Sequence, residues 1–130
     1  MIATPFLRRA LLLDAVASGA TGALMLLAAG ALAGLTDLPP GLLRTAGAAL
    51  VPYAAFVTWL GTRAEPSRPL VLAVIALNIL WTLESVAIIA LGWVAPNALG
   101  TAFVLVQAAA VGAFAALQAV ASRQAVPALA

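Results

Sequence analysis

The sequence predicts an all-α protein, a four-helix bundle that crosses a membrane in an up-down-up-down arrangement. Of its 130 residues, 65% are hydrophobic and only 8% are charged, whereas charged residues make up about 25% of a soluble domain. Four apolar segments, each long enough to cross about 30 Å of hydrocarbon, are separated by short links rich in proline, glycine or charge. We therefore expect a single transmembrane domain over residues 1–130.

The first predicted helix covers about residues 5–35 and carries Arg8 and Arg9 near its start. A basic start before an apolar stretch also resembles a secretory signal peptide. We reject that alternative because the stretch is longer than an apolar region of about 7 to 15 residues and because Asp14 interrupts it. Small residues recur along it every three or four positions, which lets another helix approach closely. They are Ala15, Ser18, Gly19, Gly22, Ala23, Gly30 and Gly34.

The second predicted helix covers about residues 40–62. It begins at Pro40, after a link whose two prolines and one glycine cannot comfortably continue a helix. Pro52 lies in its middle, where proline removes one backbone hydrogen bond and permits a kink. Membrane helices tolerate this defect when their neighbours satisfy the freed carbonyl.

The third and fourth predicted helices cover about residues 69–93 and 97–122. The third follows the one charged, polar loop of the chain and ends at Trp93, which we expect to lie at the membrane interface. The fourth carries a further stripe of small residues, which consists of Ala108, Gly112 and Ala116. Such stripes favour close helix packing.

The arginines predict the orientation of the bundle. The chain has six arginines and no lysine, and cytoplasmic loops of membrane proteins carry an excess of basic residues. If the N-terminus is cytoplasmic, only Arg44 lies outside. The other five, on the cytoplasmic side, are Arg8, Arg9, Arg63, Arg68 and Arg123. We therefore expect both termini in the cytoplasm and one fixed orientation rather than two.

Glu84 is the residue that most needs an explanation, because it puts a carboxyl group inside an apolar helix. Insertion scales assign an acid at this kind of position a cost of about 2.5–3.5 kcal/mol, and intramembrane ionisable groups are commonly functional. At 1.5 Å per residue, Glu84 lies about 13 Å before Trp93 and Gln107 about 15 Å after Asn97. Arg44 is long enough to reach the same layer. Helix geometry therefore permits a cluster of Arg44, Glu84 and Gln107, in which Arg44 and Gln107 are the candidate partners of Glu84.

A candidate ligand site follows from the residues near that layer. Asn78, Trp81 and Ser85 share a helix side with Glu84, and Tyr53 and Thr21 fall at a similar depth. The predicted ligand-binding set is Glu84, Trp81, Asn78, Tyr53, Gln107 and Arg44. The alternative is structural, with amides bonded between helices and aromatic rings used in packing.

Asp14 is expected to lie apart from this set. It stands about 7 Å past Arg9 on the cytoplasmic side, so we predict an ion pair near the helix end. The candidate partners are Arg9, Arg63, Arg68 and Gln118.

Composition excludes several classes of function. Without cysteine or histidine the chain has no disulfide, thiolate nucleophile or usual metal and haem ligands. It has no glycine-rich phosphate loop and no basic face for nucleic acid. We expect no enzyme activity, no catalytic residues, no metal site and no cofactor.

In length and in its four short-looped helices the chain resembles the small multidrug-resistance transporters and the small fluoride channels. The former carry an essential acid in the first helix, where Asp14 is the sole candidate here; motifs of the latter are missing. The alanine-, leucine-, glycine- and arginine-rich, lysine-free composition is more similar to uncharacterised four-span inner-membrane proteins of proteobacteria. That resemblance implies a multi-pass protein of the bacterial inner membrane.

Two functional hypotheses remain. The first is an interaction protein, an accessory subunit or assembly factor whose small-residue faces dock other membrane helices, in a homo-oligomer or a larger complex. The second is a binder or carrier of a small apolar or cationic ligand, with Glu84 as the proton-linked or counter-ion group. Nucleic acid is not an expected partner, and the lipid bilayer is the surrounding medium in both.

Overall fold

The computed structural model describes residues 1–125 and residue 127. These residues form only helices, which are α1 (Pro5–Leu27), α2 (Ala29–Thr36), α3 (Pro40–Gly61), α4 (Arg68–Ala90) and α5 (Ala98–Gln124). Four of them, α1, α3, α4 and α5, are long and apolar enough to cross a membrane. The predicted all-α membrane bundle is confirmed.

The first predicted helix is divided, because α1 and α2 are separated at Ala28 (φ −117°, ψ 27°). Nothing in the sequence marks this break, since neither proline nor a charged residue stands there. Asp37 closes α2 in the left-handed conformation (φ 57°), and its N–H donates to the Ala33 carbonyl at 2.9 Å. Aspartate is one of the few residues that adopt this conformation readily.

The other helix ends follow the punctuation in the sequence. The Thr4 hydroxyl accepts the Leu7 N–H at 3.1 Å at the start of α1, and the Asn97 side chain accepts the Gly100 N–H at 2.8 Å at the start of α5. Both are side-chain caps for N–H groups that lack a partner within the helix. The helix α3 continues through Pro52 without a break. The helix α4 ends three residues before the predicted Trp93, ahead of a turn in which Gly92 has φ +70°.

The closest packing joins α1 to α3 in antiparallel orientation. A Cβ atom built on Gly47 would lie 2.7 Å from the Gly22 carbonyl oxygen and from the Leu26 nitrogen. A Cβ on Gly22 would lie 2.7 Å from that of Leu50. Only glycine permits this backbone approach, so small residues of the first span pack inside the chain.

The spans alternate in direction, so one end of the bundle holds the N-terminus and the α3–α4 loop. We call it the basic end, because five of the six arginines lie there along the sequence; the opposite end is the Trp93 end. Buried apolar residues form one cluster near each end. Between the two clusters lies a layer of buried polar side chains, and this layer positions the candidate site.

Candidate binding groove and buried polar cluster

A groove runs between α3 and α4. Around the bundle, α3 packs on α1, α1 on α5 and α5 on α4, whereas α3 and α4 make few contacts with each other. The gap contains two adjoining cavities of about 160 Å³ and about 260 Å³. Trp81 and Glu84 of α4 border both cavities.

The groove is apolar on its α3 side and mixed on its α4 side. The smaller cavity lies toward the Trp93 end, and the larger one, which we call the inner cavity, reaches down to the buried polar layer. Ser18, Tyr53 and Asn78 line that inner cavity, so its floor is polar. The α3 wall consists of Leu42, Leu43, Ala46, Ala49 and Leu50.

Glu84 is exposed in the groove, and no residue in the described part of the chain forms a hydrogen bond with its carboxyl group. It lies six residues, or about 9 Å along the axis, before α4 ends at Ala90. The predicted cluster of Arg44, Glu84 and Gln107 is therefore wrong as a bonded unit. Arg44 is exposed on α3 and makes no bond to Glu84, and Gln107 is bonded elsewhere.

Gln107 ties α5 to α4 through other side chains. Its carbonyl oxygen accepts the Trp81 indole N–H at 2.8 Å, and its amide donates to the Ser85 hydroxyl at 3.0 Å. The same amide donates to the Val104 carbonyl at 2.8 Å. These bonds fix the indole plane beside Glu84, so Trp81 is a rigid wall of the groove. The amide bonding between helices expected for Gln107 is present.

The buried polar layer centres on Asp14, and each of the four spans contributes to it. We call it the Asp14 cluster, and it consists of Asp14, Ser18, Tyr53, Asn78 and Gln118. Asp14 is fully buried. Its Oδ2 lies 2.8 Å from the Tyr53 hydroxyl, 2.9 Å from the Asn78 amide nitrogen and 2.8 Å from the Gln118 amide nitrogen. Its Oδ1 accepts the Ser18 hydroxyl at 2.8 Å.

Further bonds join the members of this cluster to one another. The Asn78 carbonyl oxygen lies 2.8 Å from the Tyr53 hydroxyl, and the Asn78 amide donates to the Gln118 carbonyl oxygen at 2.9 Å. The Gln118 amide also reaches the Ala10 carbonyl at 3.4 Å. No buried side-chain nitrogen or oxygen among the described residues lacks a partner. Each buried polar atom of the cluster thus has a partner within the protein.

The predicted ion pair of Asp14 is wrong, although Gln118 was among its candidate partners. The partners of Asp14 are all uncharged. The prediction takes Arg9 as the start of the span, whereas α1 begins at Pro5. Nine residues of helix place Asp14 about 14 Å from that end. Tyr53 and Asn78, predicted for the ligand site, also lie in the Asp14 cluster.

Ser18 and the central role of Gln118 were missed. The depth of each polar residue below its helix end could have indicated this cluster. Asn78 lies ten residues, or about 15 Å, into α4, and Tyr53 lies eight residues, or about 12 Å, before the end of α3. Gln118 lies six residues before α5 ends. Polar residues at such similar depths on all four spans are expected to meet.

Comparison of the chain with protein-family models, with curated proteins and with solved structures found no match. The site must therefore be interpreted from its own chemistry. Among the described residues, no three side chains of histidine, cysteine, aspartate or glutamate are grouped as metal ligands would be. What the groove offers is an apolar channel, an aromatic wall and one unpaired carboxyl group.

Proposed function

We propose that this membrane protein binds a lipophilic cation in the groove between α3 and α4, with Glu84 as its counter-ion. The observation that carries the proposal is the unpaired Glu84 carboxyl between two cavities. A carboxyl group at this depth is costly unless something pairs with it. A positively charged ligand would provide the pairing that the described residues do not.

The walls of the groove suit such a ligand. Trp81 borders both cavities beside Glu84, and an indole face attracts an ammonium or guanidinium group more strongly than other aromatic rings do. The leucine and alanine side chains of α3 suit an apolar tail. Because the groove lies between two membrane spans, a ligand dissolved in the bilayer can enter it sideways.

The hypothesis that the protein docks other membrane helices stays a prediction, but the small-residue faces that supported it give it less support. The glycine faces that favoured docking of other helices are used within the chain, since Gly22 and Gly47 pack α1 on α3. Gly112 faces Thr82 of α4, whose methyl carbon would lie 3.5 Å from an added Cβ. A partner helix would therefore need another surface.

We also propose where the protein is located and how it is oriented. The basic end faces the cytoplasm, since basic residues are enriched on that side, and the groove opens in the opposite half of the bilayer. The composition resembles that of bacterial inner-membrane proteins, which favours that membrane. Binding of a ligand without chemical conversion is sufficient to account for the groove.

The test is binding of a tritiated alkyltrimethylammonium ion to the protein in lipid nanodiscs, with empty nanodiscs as background. Glu84→Gln keeps the size of the side chain and removes its charge, so we expect affinity to fall about tenfold or more, or about 1.4 kcal/mol. Glu65→Gln changes the other glutamate, which is exposed in the α3–α4 loop, and should bind as the unaltered protein does. Equal affinity in the two variants would rule out the proposal.

A further inference from the structure

The Asp14 cluster contains an acid that the proposed ligand site does not use. Asp14 is fully buried in the middle of the bundle, and its partners are a serine, a tyrosine and two amides. No arginine is among them in the described part of the chain. A buried carboxylate without a cation is unfavourable even when it accepts hydrogen bonds. The state of this carboxyl group therefore needs its own explanation.

The Asp14 cluster has one hydrogen fewer than it has polar contacts when Asp14 is ionised. Its members make seven polar contacts, counting the one between Gln118 and the Ala10 carbonyl. Ser18 and Tyr53 bring one hydroxyl hydrogen each, and the amides of Asn78 and Gln118 bring two each, which makes six. Turning either amide by 180° changes which atom donates but leaves this count unchanged.

The missing hydrogen belongs beside Tyr53. The Tyr53 oxygen lies 2.8 Å from both Asp14 Oδ2 and Asn78 Oδ1, yet a phenol has a single hydrogen to donate. With an ionised Asp14, one of these short oxygen–oxygen contacts has no hydrogen in it. With a hydrogen on Asp14 Oδ2, the acid donates to Tyr53 and Tyr53 donates to Asn78. Each of the seven contacts then contains one hydrogen.

We propose that the Asp14 cluster is a binding site for one proton, and that Asp14 holds this proton as a neutral carboxylic acid near neutral pH. Binding forms one O–H bond on Asp14 Oδ2, takes the carboxylate from −1 to 0 and breaks no bond in the chain. All four spans then meet through an uncharged network, which a hydrocarbon environment favours. The proton comes from water, and the inner cavity, lined by Tyr53 and Asn78, is the nearest opening.

The charged surroundings of Asp14 are sparse. On its own helix, Arg8 and Arg9 are exposed, and α3 brings Tyr53 as its titratable group. The bonded partners of Asp14 on α4 and α5 are neutral amides. Glu84 of α4 borders the inner cavity together with Tyr53 and Asn78 but forms no hydrogen bond with Asp14. The Arg68 guanidinium donates to the Ser122 carbonyl at 3.4 Å, one helical turn beyond Gln118 toward the basic end. None of these residues offers Asp14 a bonded cation in the described part of the chain.

Carbon-13 NMR of protein labelled at the aspartate carboxyl carbon tests the proposal directly. The chain has two aspartates, and the exposed Asp37 is a built-in control for an ordinary ionised carboxylate. Near neutral pH we expect the Asp37 carbon at the carboxylate position and the Asp14 carbon at that of a protonated acid. Asp14→Asn assigns the signals; if that variant does not fold, Asp37→Asn assigns them by elimination. An Asp14 carbon at the carboxylate position would overturn the proposal.

Tyr53→Phe separates the hydrogen count from a simple effect of burial. The substitution removes one hydrogen and two contacts, so five hydrogens remain for five contacts and an ionised Asp14 is matched. At one fixed pH near neutrality we therefore expect the Asp14 carbon of this variant at the carboxylate position, because the network no longer has a place for the extra hydrogen. If burial alone governed Asp14, loss of a donor to the carboxylate would leave the carbon at the position of a protonated acid. An Asp14 carbon that stays at the protonated position would contradict the proposal.

The proton site does not rest on the proposed function. Its readouts are carboxyl signals measured without ligand, whereas the ligand test depends on Glu84→Gln. A carboxylate signal from Asp14 therefore leaves cation binding in the groove intact, and loss of cation binding leaves the proton site intact.

Discussion

At the scale of single residues, the two acids inside the membrane spans, Asp14 and Glu84, differ in burial and in hydrogen bonding. Both are acids inside membrane spans, but Asp14 is fully buried and bonded to side chains from all four spans, while Glu84 is exposed in a groove. Asp14 is enclosed by its network inside the bundle, so its carboxyl group is not open to a ligand in the groove. Glu84 has no such network in the described part of the chain, which is why we propose it as the counter-ion of a ligand.

Asn78→Leu should destabilise the bundle, because leucine has a similar size but cannot replace the amide. Asn78 donates to Asp14 and Gln118 and contacts the Tyr53 hydroxyl, so several buried groups lose a partner at once. We expect a loss of about 2 kcal/mol in the free energy of unfolding, within the cost of about 1–3 kcal/mol for leaving a buried polar group unpaired. Unfolding in mixed micelles measures it.

Thr45→Val is the control for that substitution. Its hydroxyl bonds only within its own helix, to the Gly41 carbonyl at 2.8 Å, and the residue is exposed. We expect a change within about 0.5 kcal/mol. If Asn78→Leu were as mild as Thr45→Val, the Asp14 cluster would not be a stabilising centre.

At the scale of helices, the glycines fall into two groups that the sequence does not distinguish. Gly47 lies where α1 and α3 approach, and an added Cβ would meet backbone atoms at 2.7 Å. Gly34 lies in α2 with nothing within 4 Å of an added Cβ. Glycine is thus required for helix packing at Gly47, whereas at Gly34 there is room for a side chain.

Substitution by alanine should therefore lower the free energy of unfolding at Gly47 and raise it at Gly34. Gly47→Ala forces α1 and α3 apart, and we expect a loss of about 1–3 kcal/mol in the free energy of unfolding, as for overpacked cores. Gly34→Ala should gain about 0.5–1 kcal/mol, because alanine loses less conformational freedom in a helix. Unfolding of both variants under one set of conditions tests the pair. A stable Gly47→Ala protein would mean that the α1–α3 contact is looser than described.

Helix positions could be predicted from the sequence, but helix contacts could not. Proline and glycine mark the starts and ends of the spans, so the ends of α3 and α5 lie within about two residues of the predicted ones. The break at Ala28 carries no such mark. The separation of α3 from α4 was also unpredictable, because membrane helices are apolar on all sides and their hydrophobic pattern does not reveal which face is buried.

The candidate site was only partly predictable for a related reason. Polar residues inside the spans were found because they are rare there, and Tyr53, Asn78 and Gln107 do bond across helices. Which of them bond to each other depends on depth to within one turn. The predicted depth of Asp14 counts from Arg9, whereas α1 begins four residues earlier, at Pro5. That difference, about one helical turn, is enough to put Asp14 at a different depth from Tyr53, Asn78 and Gln118.

At the scale of the whole molecule, the distribution of charge predicts the orientation in the membrane. Four of the five arginines at the basic end lie near an element boundary. Arg8 and Arg9 are in the first two turns of α1, Arg63 is in the α3–α4 loop and Arg68 begins α4. The Trp93 end carries Arg44 alone. Moving basic residues across a membrane is unfavourable during insertion. The basic end is therefore expected in the cytoplasm, which puts the mouth of the groove in the opposite leaflet.

Single cysteines test this orientation, since the chain contains none and any introduced thiol is unique. Ala64→Cys lies in the α3–α4 loop at the basic end and Ala95→Cys in the α4–α5 link at the other, and both positions are exposed. In intact bacterial cells a membrane-impermeant maleimide should label Ala95→Cys and leave Ala64→Cys unlabelled until the membrane is opened. Labelling of both in intact cells would indicate two orientations. The reverse pattern would put the groove in the cytoplasmic leaflet, where a lipophilic cation would have to enter from the cell interior.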